Sequence, residues 1–156
     1  MTDTHQFMRL TSKLGTNRLG AYRMVSGESW VRPLETDAPS QLLEAISKAG
    51  QEVILFVGNR GMIQIHWGTL ENIKPMGPWL NVLDDRFDLH LRGDHVAEVY
   101  AVTKPTKRGA ALSIEMFDAA GMLIAQVFGQ RAGENDDLAG WEEIVACLPT
   151  KTLETV

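Results

Sequence analysis

The spacing of apolar side chains changes from about 3.6 to 2 residues near position 52, and this change constrains the fold most. Beyond it the chain becomes a series of short extended segments that are separated by turn residues, and at least seven can be counted. The connections between these segments are too short for crossover helices, so neighbouring strands should be antiparallel. The pattern therefore predicts a large antiparallel sheet.

The predicted strands share apolar residues at alternate positions and end at turn-forming residues. Their ranges are 53–57, 62–66, 70–74, 79–83, 87–92, 96–103, 111–117 and 122–128. In the last of them Gln126 and Phe128 must face one side and Ala125 and Val127 the other. A buried glutamine needs a hydrogen-bond partner, so we expect the face with Gln126 to border a cavity.

Three predicted helices precede the sheet and one follows it. Each has apolar residues at helical spacing together with start or stop signals. Their ranges are 3–15, capped by Asp3 or Thr4; 16–25, capped by Thr16 or Asn17; 39–50, ended by Gly50; and 135–148, ended by Pro149. We therefore predict one α+β domain over residues 1–156, in which a large antiparallel β-sheet, a meander of seven or more strands, is flanked by N-terminal helices and a C-terminal helix.

Composition excludes several classes of protein. With 156 residues, of which 44% are hydrophobic, the chain is neither disordered nor too short for a core of its own. A net charge of -5 argues against non-specific nucleic-acid binding. No apolar run approaches the ~20 residues of a membrane span, and Met1 to His5 lack the features of a signal peptide, so we expect a cytoplasmic protein. Cys147 is expected to fill the core beside the last helix.

Motifs of catalysis or metal binding are missing from the residues themselves. The sequence has no phosphate-binding glycine loop, paired-cysteine zinc spacing or nucleophile elbow. We expect His90 and His95 on the solvated surface, His66 in a hydrogen-bonded structural role and His5 at the start of the first helix. A zinc enzyme that uses His66, His90 and His95 is disfavoured, because no spacing puts three ligands on one surface. The segment from Lys104 to Gly109 predicts an exposed hairpin loop.

Six strings stand out by their order and spacing along nearly the whole chain. They are Thr4-His5-Gln6-Phe7, residues 58–66, 76–84 and 87–92, Thr103-Lys104-Pro105-Thr106 and residues 124–131. Together they closely resemble the cytosolic haemin-degrading and haemin-transport factors of bacterial haem uptake. Members of that family usually carry two tandem copies of one α+β repeat, and this chain resembles the C-terminal copy alone.

The resemblance implies a haem ligand. His5 matches the histidine of the family's His-Gln-Phe string and is thereby the expected axial ligand of the iron. Arg131 would reach the haem on its distal side or at its propionates, which makes it the candidate catalytic residue. Haem is an apolar disc with two carboxylates, and it needs apolar walls with cations at the rim. The other implied contacts are Arg18 and Lys104 at the propionates, and Gln126 and Phe128 in the pocket wall.

The leading hypothesis is a haem-binding protein for intracellular transport, for oxidative degradation in the manner of a haem oxygenase, or for both. Its expected partners are haem, a haem importer or haem oxygenase as donor or acceptor, and a second copy in a homodimer. The alternative is a structural or dimerisation module that keeps the repeat fold without binding haem. Thr103, where an arginine often precedes Lys-Pro-Thr, and Phe128, which replaces a tyrosine, motivate that alternative.

Overall fold

The computed structural model of the protein describes residues 15–107, 109–131 and 138–152. Residues 3–14 of the first predicted helix, with His5, and residues 135–137 of the last predicted helix lie outside these ranges. The elements in chain order are α1 (Arg18–Met24), β1 (Val31–Leu34), α2 (Ala38–Ala49), β2 (Val53–Gly58), β3 (Ile63–Gly68), β4 (Ile73–Met76), β5 (Trp79–Asp84), β6 (Phe87–Arg92), a 3-10 turn (Gly93–His95), β7 (Glu98–Thr106), β8 (Gly109–Phe117), β9 (Leu123–Gly129) and α3 (Ala139–Ala146).

The strands of the described residues form two sheets, a six-stranded one in the order β1-β7-β8-β9-β2-β3 and a three-stranded one in the order β4-β5-β6. Every pairing in both sheets is antiparallel, which confirms the predicted α+β class. The meander holds within β2–β3, β4–β6 and β7–β9, but β9 then returns to pair with β2. Strand β1 is a short edge strand that was not predicted, because it contains Pro33 and proline interrupts a strand pattern.

One face of the six-stranded sheet, here called the inner face, packs into the main core. Its side chains include Leu55, Ile114 and Val127, which lie in one cluster with residues of α2, α3 and the three-stranded sheet. Helix α2 ends as predicted at Gly50, which has the left-handed φ of 62°. The core is therefore assembled from segments that are far apart in sequence.

Helix α3 closes one end of the inner face. Trp141 is 1% exposed, and its Nε1 donates to the carbonyl oxygen of Leu112 at 2.9 Å. A side chain at Gly129 would overlap the indole ring, so this strand needs glycine where the helix crosses it. Cys147 is exposed, which makes its predicted core position wrong. It follows buried Val145 by two residues, about 200° around the helix axis.

The opposite face of the same sheet, here called the outer face, is partly covered by α1. Asn17 caps this helix by accepting a hydrogen bond from the Gly20 N–H at 2.7 Å, as one of the two predicted caps. A second apolar cluster forms where α1 meets β1, β7 and β8; it contains Leu19, Tyr22, Val31, Tyr100, Val102 and Phe117. Strand β3 lies away from α1 at the edge of the sheet, and Ile63 and Trp67 on its outer face are 67% and 66% exposed.

Candidate functional site

A buried carboxylate lies in the outer face beneath α1. Glu115 of β8 is 0% exposed and accepts hydrogen bonds from five side chains of the described residues. The donors to its Oε1 are Lys104 Nζ at 2.8 Å, Gln126 Nε2 at 2.9 Å and Ser113 Oγ at 3.3 Å, and those to its Oε2 are Tyr22 Oη at 3.0 Å and Arg18 Nη1 at 3.3 Å. Three of these donors, Arg18, Lys104 and Gln126, are predicted site residues.

Strand register and helix periodicity explain this convergence. Glu115 pairs with Gln126 on β9, so the two side chains stand next to each other on the same face. Lys104 lies on the same face of the neighbouring strand β7. Arg18 and Tyr22 are four residues apart on α1, about one helical turn, and therefore reach the sheet side by side.

The charges of this cluster compensate one another. Burial would raise the pKa of Glu115, but the Lys104 ammonium and the Arg18 guanidinium outweigh burial and hold that pKa below its usual value. Burial lowers the pKa of Lys104, and the attraction of Glu115 opposes this effect. Burial and the Glu115 carboxylate raise the pKa of Tyr22, which keeps its hydroxyl protonated. At neutral pH Glu115 is thus an ionised acceptor that is surrounded by donors.

Two of the cavities bordered by the described residues meet at Phe56 on the outer face. The first has a volume of about 320 Å³, and Arg18, Arg60 and Gln126 are among its lining residues. The second has a volume of about 410 Å³, and its lining includes Trp67, Phe128 and Arg131. The rings of Phe56 and Phe128 pack edge to face with centroids 5.6 Å apart. The result is an aromatic surface with a guanidinium group in each cavity.

The structure divides the predicted site residues between two places. It brings Arg18, Lys104 and Gln126 together at Glu115, and it places Phe128 and Arg131 in the second cavity. Gln126 is half-buried, and the hydrogen-bond partner expected for it is found in Glu115. The roles of these residues toward haem stay predictions, as does iron ligation by His5, which lies outside the described residues.

Lys104 differs from its first interpretation as part of an exposed loop. It is 6% exposed and belongs to β7, which extends to Thr106 because Lys104 and Pro105 pair with Ala111 and Ala110. The loop prediction was therefore wrong for Lys104. Its ammonium group forms an ion pair with the buried Glu115 carboxylate.

Three residues of the candidate site were not predicted from the sequence, namely Glu115, Tyr22 and Phe56. One signal was available for Glu115: it is the only charged residue between Gly109 and Phe117, and it lies between Ile114 and Met116. A single charge within an apolar strand predicts a buried ion pair, although the pattern does not name the partner. Tyr22 and Phe56 gave no comparable signal, because aromatic residues at such positions are ordinary core residues.

The histidines of the described residues take the positions predicted for them. His66 Nε2 lies 3.1 Å from the carbonyl oxygen of Thr69, and its ring stacks on Phe87 at 3.9 Å, so its structural role is confirmed. His90 and His95 are exposed, and His90 Nδ1 lies 2.7 Å from Asn81 Oδ1. In the part of the chain that the structure describes, no group of three or more His, Cys, Asp or Glu side chains could hold a metal ion. Nor does any helix there have the length and apolarity to cross a membrane.

Known proteins resemble this chain over most of its length. The chain is 37% identical over 153 residues to the hemin transport protein HmuS of Yersinia pestis, a match that covers 98% of this chain and 44% of the relative. Its structure aligns with holo-PhuS, a heme-binding protein from Pseudomonas aeruginosa, with a TM-score of 0.89 and 38% identity over 97% of this chain and 43% of that one.

A third relative is ChuS, an E. coli heme oxygenase, with a TM-score of 0.87 and 38% identity over 95% of this chain and 45% of that one. The chain thus spans less than half the length of the relatives that it matches. Residues 15–148 match the family described as the haemin-degrading HemS.ChuX domain. The chain therefore belongs to the haemin-degrading HemS/ChuX domain family.

Proposed function

We propose that this chain binds haem on the outer face of its six-stranded sheet. The observation that carries the proposal is the pair of cavities that meet at Phe56, one with Arg18 and the other with Arg131. A haem pocket needs apolar walls for the ring and cations for the two propionates, and both are present here. Arginine suits this task because its planar fork can donate two parallel hydrogen bonds to a carboxylate. The names of the three relatives, which transport, bind or oxidise haem, support the same ligand.

Each predicted site residue has a role in this proposal. His5 supplies the imidazole for the iron. Arg18 holds a propionate from the first cavity, and Lys104 adds its charge behind Arg18. Arg131 lies on the distal side or at the other propionate, where it is the candidate catalytic residue. Gln126 and Phe128 form the pocket wall. Bound haem supplies the redox-active iron for any oxidative opening of its ring.

The test is a haemin titration of the wild type and of His5→Ala. The wild type should give a sharpened Soret band, and we expect His5→Ala to weaken binding by roughly tenfold or more, which corresponds to at least ~1.4 kcal/mol. His95→Ala is the matched control, because His95 is an exposed histidine in a 3-10 turn and lines neither of the cavities that meet at Phe56. An unaltered spectrum in His5→Ala would remove His5 as ligand. A wild type without affinity for haemin would overturn the whole proposal and favour the structural module.

Transport and degradation differ in what happens to the bound ring. We propose that the protein works in the cytoplasm, where a haem importer is the donor and a haem oxygenase is an acceptor if the ring is not opened on this chain. Ascorbate added to the loaded protein separates the two activities. Loss of the Soret band with release of iron indicates degradation. A Soret band that stays intact, together with transfer of the haem to an added haem oxygenase, indicates transport.

A second copy of the chain is the proposed protein partner. Strand β3 forms an edge of the six-stranded sheet, and its outer side chains Ile63, Ile65 and Trp67 are 67%, 47% and 66% exposed. An exposed apolar edge strand is a template for pairing with another chain. Sedimentation of the apo and haemin-loaded protein measures whether the chain is a monomer or a dimer. A monomer in both states would contradict the proposed homodimer but would not contradict the proposed haem binding.

A further inference from the structure

We propose that Glu115 is a positioning residue, which orients Arg18 so that the first cavity recognises a free carboxylate. The proposal rests on the proposed haem binding, in which Arg18 holds a propionate, and it adds the residue that orients the Arg18 guanidinium. Glu115 itself is fully buried and does not line the cavity, so it acts through Arg18.

The hydrogen bonds of Glu115 fix which atoms remain for the ligand. An ionised carboxylate can only accept hydrogen bonds, so Arg18 and Gln126 must each turn a nitrogen toward it. Arg18 uses Nη1 for this bond, and its side chain remains 23% exposed along the cavity. Gln126 uses Nε2, which turns its Oε1 away from the carboxylate. The Arg18 guanidinium is therefore the donor that remains for a ligand carboxylate, whereas the Gln126 Oε1, an acceptor, offers such a ligand no hydrogen bond.

The charges lead to the same ligand class. Glu115 pairs with two cations, Lys104 at 2.8 Å and Arg18 at 3.3 Å, so the three groups together carry one excess positive charge. Lys104 is only 8% exposed at its side chain and Arg18 is 23% exposed, so the excess charge is accessible at Arg18. A singly charged carboxylate matches it, and an esterified carboxylate does not.

A second carboxylate that is hydrogen-bonded to helix α1 provides a matched control. Glu98 of β7 accepts hydrogen bonds from Arg23 of α1 and from the Tyr100 hydroxyl, much as Glu115 does from Arg18 and Tyr22. The Glu98 group lines neither of the cavities that meet at Phe56. Loss of Glu98 thus weakens an attachment of α1 without changing the atoms that face the ligand.

The experiment compares the affinities for haemin and for haemin dimethyl ester, whose propionates carry no charge. The wild type should prefer haemin. In Glu115→Gln we expect this preference to fall about tenfold, since Arg18 loses a charge-assisted bond worth ~1.5 kcal/mol, while affinity for the ester stays within about twofold. Glu98→Gln should keep the wild-type preference. Combining Arg18→Met with Glu115→Gln should lower the preference no further than Arg18→Met alone.

Several results would overturn the proposal. An equal loss for both ligands would mean that Glu115 only supports the fold. Tighter haemin binding in Glu115→Gln would mean that Glu115 competes with the propionate for Arg18. Equal binding of haemin and its ester by the wild type would mean that the site does not recognise the propionate carboxylates. No haemin binding at all would contradict the proposed function itself. If Glu115→Gln does not fold, Glu115→Asp keeps the charge but withdraws the carboxylate from Arg18, and an unchanged preference in that variant contradicts the proposal equally.

Discussion

The inner and outer faces of the six-stranded sheet are made by alternate residues of the same strands, yet they differ in almost every physical property. On the inner face Leu55, Ile114 and Val127 are at most 3% exposed. On the outer face a fully buried glutamate, an aromatic surface and an exposed tryptophan follow one another within a few strands. Because side chains alternate along a strand, one sequence can stabilise the fold with one set of residues and bind a ligand with the other.

Empty space is distributed in the same unequal way. Two cavities of about 80 Å³ each lie between the two sheets, and one of them is lined mostly by aliphatic residues of the inner face and the small sheet. The outer face borders cavities of about 320 and 410 Å³, and each contains an arginine. Substitutions on the inner face should therefore change stability most, and those on the open part of the outer face should change binding most.

The largest expected effect on stability is that of Trp141→Ala. The indole is buried against Gly129, and its Nε1 donates to the Leu112 carbonyl oxygen, so the change leaves both a cavity and an unpaired acceptor. We expect the free energy of unfolding to fall by about 3–5 kcal/mol. Urea unfolding measures it. A loss below about 1 kcal/mol would show that α3 does not close the core.

Lys104→Met tests the buried polar part of the outer face and should have the next largest effect. In the wild type the pKa of Glu115 is lowered below its ordinary value of 4.5, so its charge contributes stability above that pH, and the contribution is lost as pH falls through the folded pKa. Without the ammonium, burial is less well opposed and the pKa of Glu115 rises. We expect the free energy of unfolding to fall by about 3 kcal/mol at neutral pH, because the buried Glu115 carboxylate loses one of its charged partners.

The pH dependence of that loss identifies its cause. In Lys104→Met the deficit should shrink between neutral and mildly acidic pH, as the pH falls through the folded pKa of Glu115 in this variant, because Glu115 then takes up a proton and no longer buries a charge. Arg23→Met is the control, since Arg23 is 59% exposed in its pair with Glu98 and should contribute less than ~1 kcal/mol. Unfolding curves at both pH values check this. A deficit that is the same at both would assign the effect to lost packing of the lysine stem.

Properties that depend on local spacing could be predicted from the sequence. Alternation placed Gln126 and Phe128 opposite Ala125 and Val127, and the cap at Asn17 followed from a short polar residue before an apolar helix. The choice of strand partners could not be predicted in the same way. β9 pairs with β2 across some seventy residues of chain, and nothing in either strand alone specifies that partner.

The candidate site shows the same limit more sharply. The resemblance named Arg18, Lys104 and Gln126 as site residues, but the glutamate that joins them became visible only once β7, β8 and β9 were in register. Lys104 was assigned to a loop because Pro105 and Gly109 are turn-forming residues, whereas strand pairing carries β7 past them to Thr106. Long-range pairing, which local patterns do not encode, decides where a charged side chain is buried.

Trp67→Ala should have the smallest effect on stability and thereby completes the contrast with Trp141. Trp67 is 66% exposed on the outer face and lines the second cavity, so its removal should change the free energy of unfolding by no more than about 0.5 kcal/mol. Haemin affinity should nevertheless fall by about threefold to tenfold, because an aromatic contact of ~1 kcal/mol with the ring is lost. Urea unfolding and a haemin titration on the same preparation measure both quantities. A large loss of stability with unchanged haemin affinity would show that this part of the outer face supports the fold and that haem, if bound, lies elsewhere.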